Sequence, residues 1–372
     1  MREVPFLELT GIHRRLANEL TAAWQRVLHS GRYILGPELE AFEEEFARYC
    51  GVRYAVGVGS GLDGLRWVLE AAGIGPGDEV LVPAQTFVAT WLAVSSVGAL
   101  PVAVDIEPES GNLDPERVVA AASSRTRAVI AVHLYGRPAA VDRLEQLARR
   151  HGWFLLEDAA QAHGAKIRGQ SVGGWGNAAA FSFYPAKNLG ALGDGGAVTT
   201  NDAQLADRVR VLRNYGSRVK YHHEMLGGNS RLDELQAAFL RVKLPFVESW
   251  NDLRRQQAAR YRELLVGVPG LGLPPLDDDS VLSSWHLFVI RVSNREEIRA
   301  RLRDFGVETL VHYPVAPVDL PAYSGRFREP EPCHEARKQS REVISLPLGP
   351  HLQASDLDYV AQKVREAVIA GA

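Results

Sequence analysis

The chain has 372 residues, 46% hydrophobic and 23% charged, with a formal net charge of −3. That length allows one large domain with a sizeable core plus a smaller one. The near-neutral balance gives no electrostatic case for binding nucleic acid or an anionic membrane. The two cysteines, Cys50 and Cys333, lie far apart without metal-ligand spacing, which argues against a disulfide framework and a zinc site. The N-terminal Met1-Arg-Glu-Val-Pro-Phe lacks the charged-then-apolar layout of a signal peptide. A cytoplasmic protein is expected.

In chain order, short runs rich in Val, Ile and Leu alternate with helical patterns from Tyr54 to Arg213. Strands are predicted at Tyr54–Gly59, Glu79–Pro83, Pro101–Ile106, Ala128–Leu134, Trp153–Glu157, Ala178–Tyr184 and Ala197–Thr200. Helices are predicted at Gly61–Ala72, Thr86–Val97, Ala140–Arg150 and Asp202–Arg213. Strands that are continuously apolar rather than alternating imply burial on both faces, hence an α/β sheet covered by helices. The stretch Val80–Val104 carries no charge but is broken by Pro83, Gly98 and Pro101, so strand, buried helix, strand fits better than a membrane span. A long helical pattern, Arg231–Leu265, is interrupted at Pro245 and closes at Gly267. Beyond the Gly-, Pro- and Asp-rich segment Val266–Ser280 come a strand at His286–Val292, a helix at Arg295–Phe305, a turn at Gly306, the stretch Val307–Tyr313, and a last helix at Ser355–Ile369. This predicts a large domain over 1–265 and a smaller C-terminal domain over 266–372.

Gly59-Ser-Gly-Leu-Asp-Gly64 follows a strand and opens a helix, as the dinucleotide fingerprint does. That reading requires an acid at the end of the next strand, where this chain has Pro83-Ala-Gln-Thr. The fingerprint is incomplete. A glycine-rich turn at a helix N-terminus still favours a phosphate, through free N–H groups and the helix dipole, although it also serves as a bare tight turn.

Asp158 follows an apolar strand, at the sheet edge where ligands bind in open α/β folds, and Gln161 is close enough to face the same place. A helix N-cap is the plainer alternative for this aspartate. About thirty residues on, Lys187 sits in a loop after Phe181-Ser-Phe-Tyr184, among Gly190, Gly193, Gly195 and Gly196, which let backbone approach a ligand. A lysine in a partly buried site can lose its proton, form a Schiff base with an aldehyde cofactor, and then act as general base. A buried aspartate can keep a pyridine nitrogen protonated. That pairing is what pyridoxal phosphate chemistry requires.

The order of parts resembles the DegT/DnrJ/StrS group of sugar aminotransferases, pyridoxal phosphate enzymes of the aspartate aminotransferase fold (fold type I). The matching pieces are Gly31-Arg-Tyr-Ile-Leu-Gly-Pro37, Phe42-Glu43, Gly59-Ser-Gly61, Asp78-Glu-Val-Leu-Val-Pro83 and Glu157-Asp-Ala-Ala-Gln-Ala-His-Gly164. Ser182-Phe-Tyr-Pro-Ala-Lys187-Asn-Leu-Gly190, Gly193-Asp-Gly-Gly196 and Asn214-Tyr-Gly216 complete the set. Within the group, Tyr221-His-His-Glu, Asn229-Ser-Arg-Leu-Asp-Glu-Leu-Gln236, Trp285-His-Leu-Phe288 and His312-Tyr-Pro314 are similar to enzymes that aminate C3 of nucleotide-linked 3-keto-deoxysugars.

The resemblance implies a large domain with a mainly parallel mixed sheet and a small α+β domain. It implies that Lys187 holds the cofactor, that Asp158 pairs with the pyridine nitrogen, and that Gln161 lies near the ring hydroxyl. The phosphate would be bound by the backbone of Gly61 and Leu62 with Ser182, and Phe87 would stack on the ring. Asn229 would reach the phosphate of a neighbouring subunit, implying a homodimer with shared sites. Tyr33, Tyr184, Tyr221, His312 and Tyr313 would line the sugar and nucleotide side, with L-glutamate as amino donor and a dTDP-linked sugar as acceptor. The plainer alternative for His312-Tyr-Pro is the end of a strand, and His163 has no role legible in the sequence. His222-His223-Glu224 is not a metal cluster, because adjacent histidines point apart. The rival readings are an aminotransferase for 4-keto sugars, a dehydratase relative (in which histidine replaces the lysine), and a non-catalytic sugar-nucleotide or cofactor binder.

Overall fold

Seven short apolar segments pair edge to edge in a computed structural model that describes residues 2–370. They are β1 (Tyr54–Val58), β2 (Glu79–Pro83), β3 (Leu100–Val104), β4 (Thr126–Val132), β5 (Phe154–Asp158), β6 (Ala178–Ser182) and β7 (Gly196–Thr200). Their order across the sheet is β1-β7-β6-β5-β4-β2-β3. β7 runs antiparallel to both β1 and β6, and every other neighbouring pair is parallel. The fold is α/β with a mainly parallel mixed sheet, and all seven predicted strands are found in it.

Alternation along the strands feeds two apolar layers. Val80, Val82 and Ile130 pack with Leu65, Val68 and Trp91 on one face, whereas Leu81, Val129 and Leu155 pack with Val118 and Leu144 on the other. The helices that supply these partners are α4 (Gly61–Ala71), α5 (Val88–Ser96), α6 (Pro115–Ala121) and α7 (Val141–His151), and α8 (Ala203–Leu212) follows β7. The uncharged Val80–Val104 stretch folds as β2, α5, β3. Among the described residues no helix is long and apolar enough to cross a membrane.

Three helices precede the sheet, α1 (Thr10–Arg15), α2 (Ala17–Ser30) and α3 (Pro37–Cys50), and the last brings Phe42 and Phe46 edge-on to Phe181 and Phe183. The long helical pattern divides into α9 (Glu234–Lys243) and α10 (Val247–Leu265), with a tighter turn at Leu244–Phe246 around Pro245. It begins three residues later than predicted because Asp233, at the N-cap position, is still extended (ψ 145°).

Beyond it, β8 (Phe288–Arg291) pairs antiparallel with β9 (Val343–Leu346), flanked by helices at Arg295–Asp304 and Ala354–Ala370. Val307–Tyr313 makes only single bridges, Val307 to Val4 and Leu310 to Ser345. Phe288, Ile290, Ile344, Val360 and Val364 form a second core with Val4, Tyr261 and Leu265. Ala316, Val318 and Tyr323 instead pack against the first core. We propose the division into 1–265 and 266–372 as a division into folding units, stitched across by those contacts; Met1, Gly371 and Ala372 lie outside the described residues.

Candidate active site

The C-terminal edges of the parallel strands open into a cavity of about 540 Å³, where ligands bind in sheets of this kind. β1 leads through Ser60 into α4, β2 through Thr86 and Phe87 into α5, β4 into His133 and Leu134, β5 ends on Asp158, and β6 ends on Ser182. All of these line the cavity, together with Gly61, Leu62, Gln161, Tyr184, Lys187, Asp194, His286, His312 and Tyr313.

Neighbouring carboxylates on β5 face opposite ways, as strand alternation demands. Glu157 is buried away from the cavity's centre and accepts the amides of Gly173, Trp175 and Gly176 at 2.8–2.9 Å and the His133 ring at 3.1 Å. Asp158 turns toward the cavity. Its Oδ2 accepts from Thr90 Oγ1 at 2.7 Å and its Oδ1 from the Ala160 amide at 3.2 Å. Burial raises its pKa; the Thr90 hydroxyl, the Ala160 amide and the Lys187 charge oppose the rise.

Lys187 is half-buried. Burial lowers its ammonium pKa from 10.5 to about 8, with Asp158 pulling the other way. The loop that carries it is fixed at several points. The Lys187 amide donates to Tyr184 O at 2.8 Å, Ala191 N to Phe183 O at 2.8 Å, and buried Lys243 Nζ to Gly190 O at 2.8 Å. Gly190 permits this turn because a Cβ there would lie 2.3 Å from Pro185 O.

At the start of α4, the Ser60 hydroxyl accepts the Asp63 amide at 3.1 Å. The Gly61 and Leu62 amides, earlier in the same turn, take no acceptor among the described residues and are free for an anion. Close packing forms this cradle. A Cβ on Gly61 would fall 2.8 Å from Ser182 Cβ, and one on Gly196 would fall 2.4 Å from the Ser60 carbonyl carbon.

Gln161 accepts the Tyr135 amide at 2.6 Å and donates to Tyr313 Oη at 2.9 Å. Tyr313 also lies against Phe87, ring centroids 5.3 Å apart. His312 Nδ1 meets Ser345 Oγ at 2.8 Å, its carbonyl accepts the Tyr135 hydroxyl, and burial, then Lys187, lowers its pKa to about 4. The segment His312-Tyr313 therefore borders the cavity.

Ten of the residues singled out from sequence thus share one cavity, and three do not. Asn229 is exposed and pairs through its backbone with Asn214, Tyr33 is 53% exposed and Tyr221 80% exposed. None of the three lines the cavity of its own chain. His163 sets its buried ring at a tilt against Phe181 and Phe183, and neither ring nitrogen has a hydrogen-bond partner among the described residues. Burial lowers its pKa to about 3, so it is a neutral packing group. Thr90, Asp194 and His286 were not singled out. Thr90 lies in the first turn of α5 and meets Asp158 only through the fold, and His286 sits in a motif that by itself carries no role.

Residues 14–365 match the DegT/DnrJ/EryC1/StrS aminotransferase family. The chain belongs to that family. It is 54% identical over 366 residues to the dTDP-3-amino-3,4,6-trideoxy-alpha-D-glucose transaminase of Streptomyces venezuelae, covering 98% of this chain and 96% of that one. The solved structure of S. venezuelae DesV with a ketimine intermediate superposes with a TM-score of 0.95 at 52% identity, covering 98% of each chain. NtdA from Bacillus subtilis with bound cofactor PMP superposes with a TM-score of 0.92 at 31% identity, covering 99% of this chain and 86% of that one.

Proposed function

We propose that this protein transfers an amino group from L-glutamate to C3 of a nucleotide-linked 3-keto-6-deoxysugar, with dTDP as the nucleotide carrier and pyridoxal phosphate as cofactor. The observation that carries this reading is the convergence of Lys187 and Asp158 on one cavity in a chain 54% identical to a dTDP-sugar transaminase. Pyridoxal phosphate supplies an aldehyde that captures amines and a pyridine ring that accepts an electron pair from a substrate carbon.

The residues present fit that group. The open amides of Gly61 and Leu62 with Ser182 form a phosphate cradle, Phe87 offers a ring face, and Gln161 lies beside it. Asp158 would hold a proton on the pyridine nitrogen. Lys187 would bind the aldehyde and, once displaced, carry a proton from one carbon to another, a role suited to an amine whose pKa is about 8. Tyr184, His312 and Tyr313 would face the sugar and its nucleotide. Asn229 of one copy would serve the cavity of another, in a cytoplasmic homodimer, and Tyr33 and Tyr221 would act from the same exposed surface.

The test separates the half-reactions. Enzyme is treated with glutamate, desalted, and mixed with 3-keto or 4-keto dTDP-deoxysugar while the visible absorbance of the cofactor is followed. Recovery with the 3-keto sugar alone is the expected result. Recovery with the 4-keto sugar moves the site of amination, and no recovery with either leaves a binder without turnover.

A further inference from the structure

His286 lies in Trp285-His-Leu-Phe288, lines the same cavity as Lys187, and is 9% exposed. Its tautomer follows from a chain of hydrogen bonds that starts at a main-chain carbonyl. The His163 carbonyl can only accept, so Asn251 turns Nδ2 toward it, at 2.8 Å, and Oδ1 away. Asn188 Nδ2 donates to that Oδ1 and to the Ser284 carbonyl, both at 2.8 Å. Both amide protons of Asn188 are then in use, and its Oδ1 is left as an acceptor 3.1 Å from His286 Nδ1. The ring proton of His286 must sit on Nδ1, which leaves a bare lone pair on Nε2. Nε2 has no donor among the described residues. Burial, followed by the charges of Lys187 and Arg254, keeps a second proton off the ring by holding its pKa well below 6.5.

We propose that His286 Nε2 accepts a hydrogen bond from a hydroxyl of the substrate's sugar ring and thereby selects for substrates that carry it. The inference rests on the sugar-aminotransferase reading above. A neutral donor suits the position better than an ammonium, because Lys187 and Arg254 already place positive charge around the ring. A sugar lacking the hydroxyl would leave a buried acceptor unpaired, which is how sites of this kind reject deoxy analogues.

The decisive variant is His286→Asn, whose amide can still donate to Asn188 but has no atom at Nε2. The holoenzyme should keep its visible spectrum and react with glutamate at the parent's rate. Its step with the ketosugar should slow by about 10–100-fold, and the nucleotide-linked aminosugar should bind about tenfold more weakly, while the bare nucleoside diphosphate binds as before. His286→Gln, which can place an oxygen near Nε2, should recover part of the loss. Equal losses in both half-reactions, or an unimpaired ketosugar step with unchanged product binding, would overturn the assignment. A parent enzyme that never accepts the ketosugar fails the underlying reading instead, and the inference falls with it.

Discussion

Lys187 and Asp158 owe their chemistry to burial that is incomplete for one and relieved by hydrogen bonds for the other. Because desolvation disfavours the ammonium, Lys187 is mostly neutral only above about pH 8. Mixing apo-protein with pyridoxal phosphate should therefore show capture, read by stopped-flow absorbance, that rises about tenfold per pH unit below that value and levels above it. A profile still rising at pH 10 would mean an ordinary, solvated lysine. Lys187→Ala should bind cofactor without the covalent link and lose at least about a thousandfold in turnover. Asp158 must be ionised to hold a pyridine proton, and the 2.7 Å bond from Thr90 favours that form. Thr90→Val removes the donor at nearly constant shape, so the carboxyl pKa rises and ionisation is lost at a higher pH. kcat should fall about tenfold, with the acid limb of its pH profile displaced upward and both effects reversed in Thr90→Ser. Lys187 and Asp158 were legible in sequence because their neighbours are unusual: glycines around one, an apolar strand before the other. Thr90 was not, since its partner lies 68 residues away and only the strand order brings them together.

At the scale of elements, the proposed phosphate cradle is where three strand ends meet the N-terminus of a helix. β7 pairs Gly196 with Val58 on one side and Ser182 on the other, so three strand ends converge on the N-terminus of α4. A methyl group on Gly61 would meet Ser182 Cβ at 2.8 Å and Ser182 Cα at 3.3 Å. Gly61→Ala should cost about 1–3 kcal/mol in urea unfolding, and should weaken cofactor binding more than the fold as a whole. Unchanged cofactor affinity would mean that this turn is structural only. The motif Gly59-Ser-Gly61 pointed to this turn because a tight, glycine-rich entry into a helix has a local sequence cause. β9 and the three N-terminal helices went unpredicted for the opposite reason. β9 acquires its meaning only by pairing with β8, in a register that sets Phe288 against Leu346 from far along the chain, and the helices at 10–50 take theirs from packing on Phe181, Phe183 and α9.

For the whole molecule, the question is what covers the surface that bears Asn229. Ile34, Leu35, Met225 and Leu226 are exposed, the last at 91%, along with Tyr33 and Tyr221. Large apolar side chains left open on a single chain mark a surface for association, and a two-fold pairing would put the same patch on both partners. If Asn229 of one copy serves the phosphate of the other, two damaged chains can repair each other. Lys187→Ala supplies an intact Asn229, and Asn229→Asp, which sets a negative charge against the phosphate, supplies an intact Lys187. Random mixing makes half of the dimers hybrid, each with one site in which both residues are native, so activity should climb to about a quarter of the parent's at limiting cofactor. If Asn229 instead served its own chain, every site in the mixture would carry one lesion or the other. Activity would then stay at the level of the separate variants, whatever the extent of exchange.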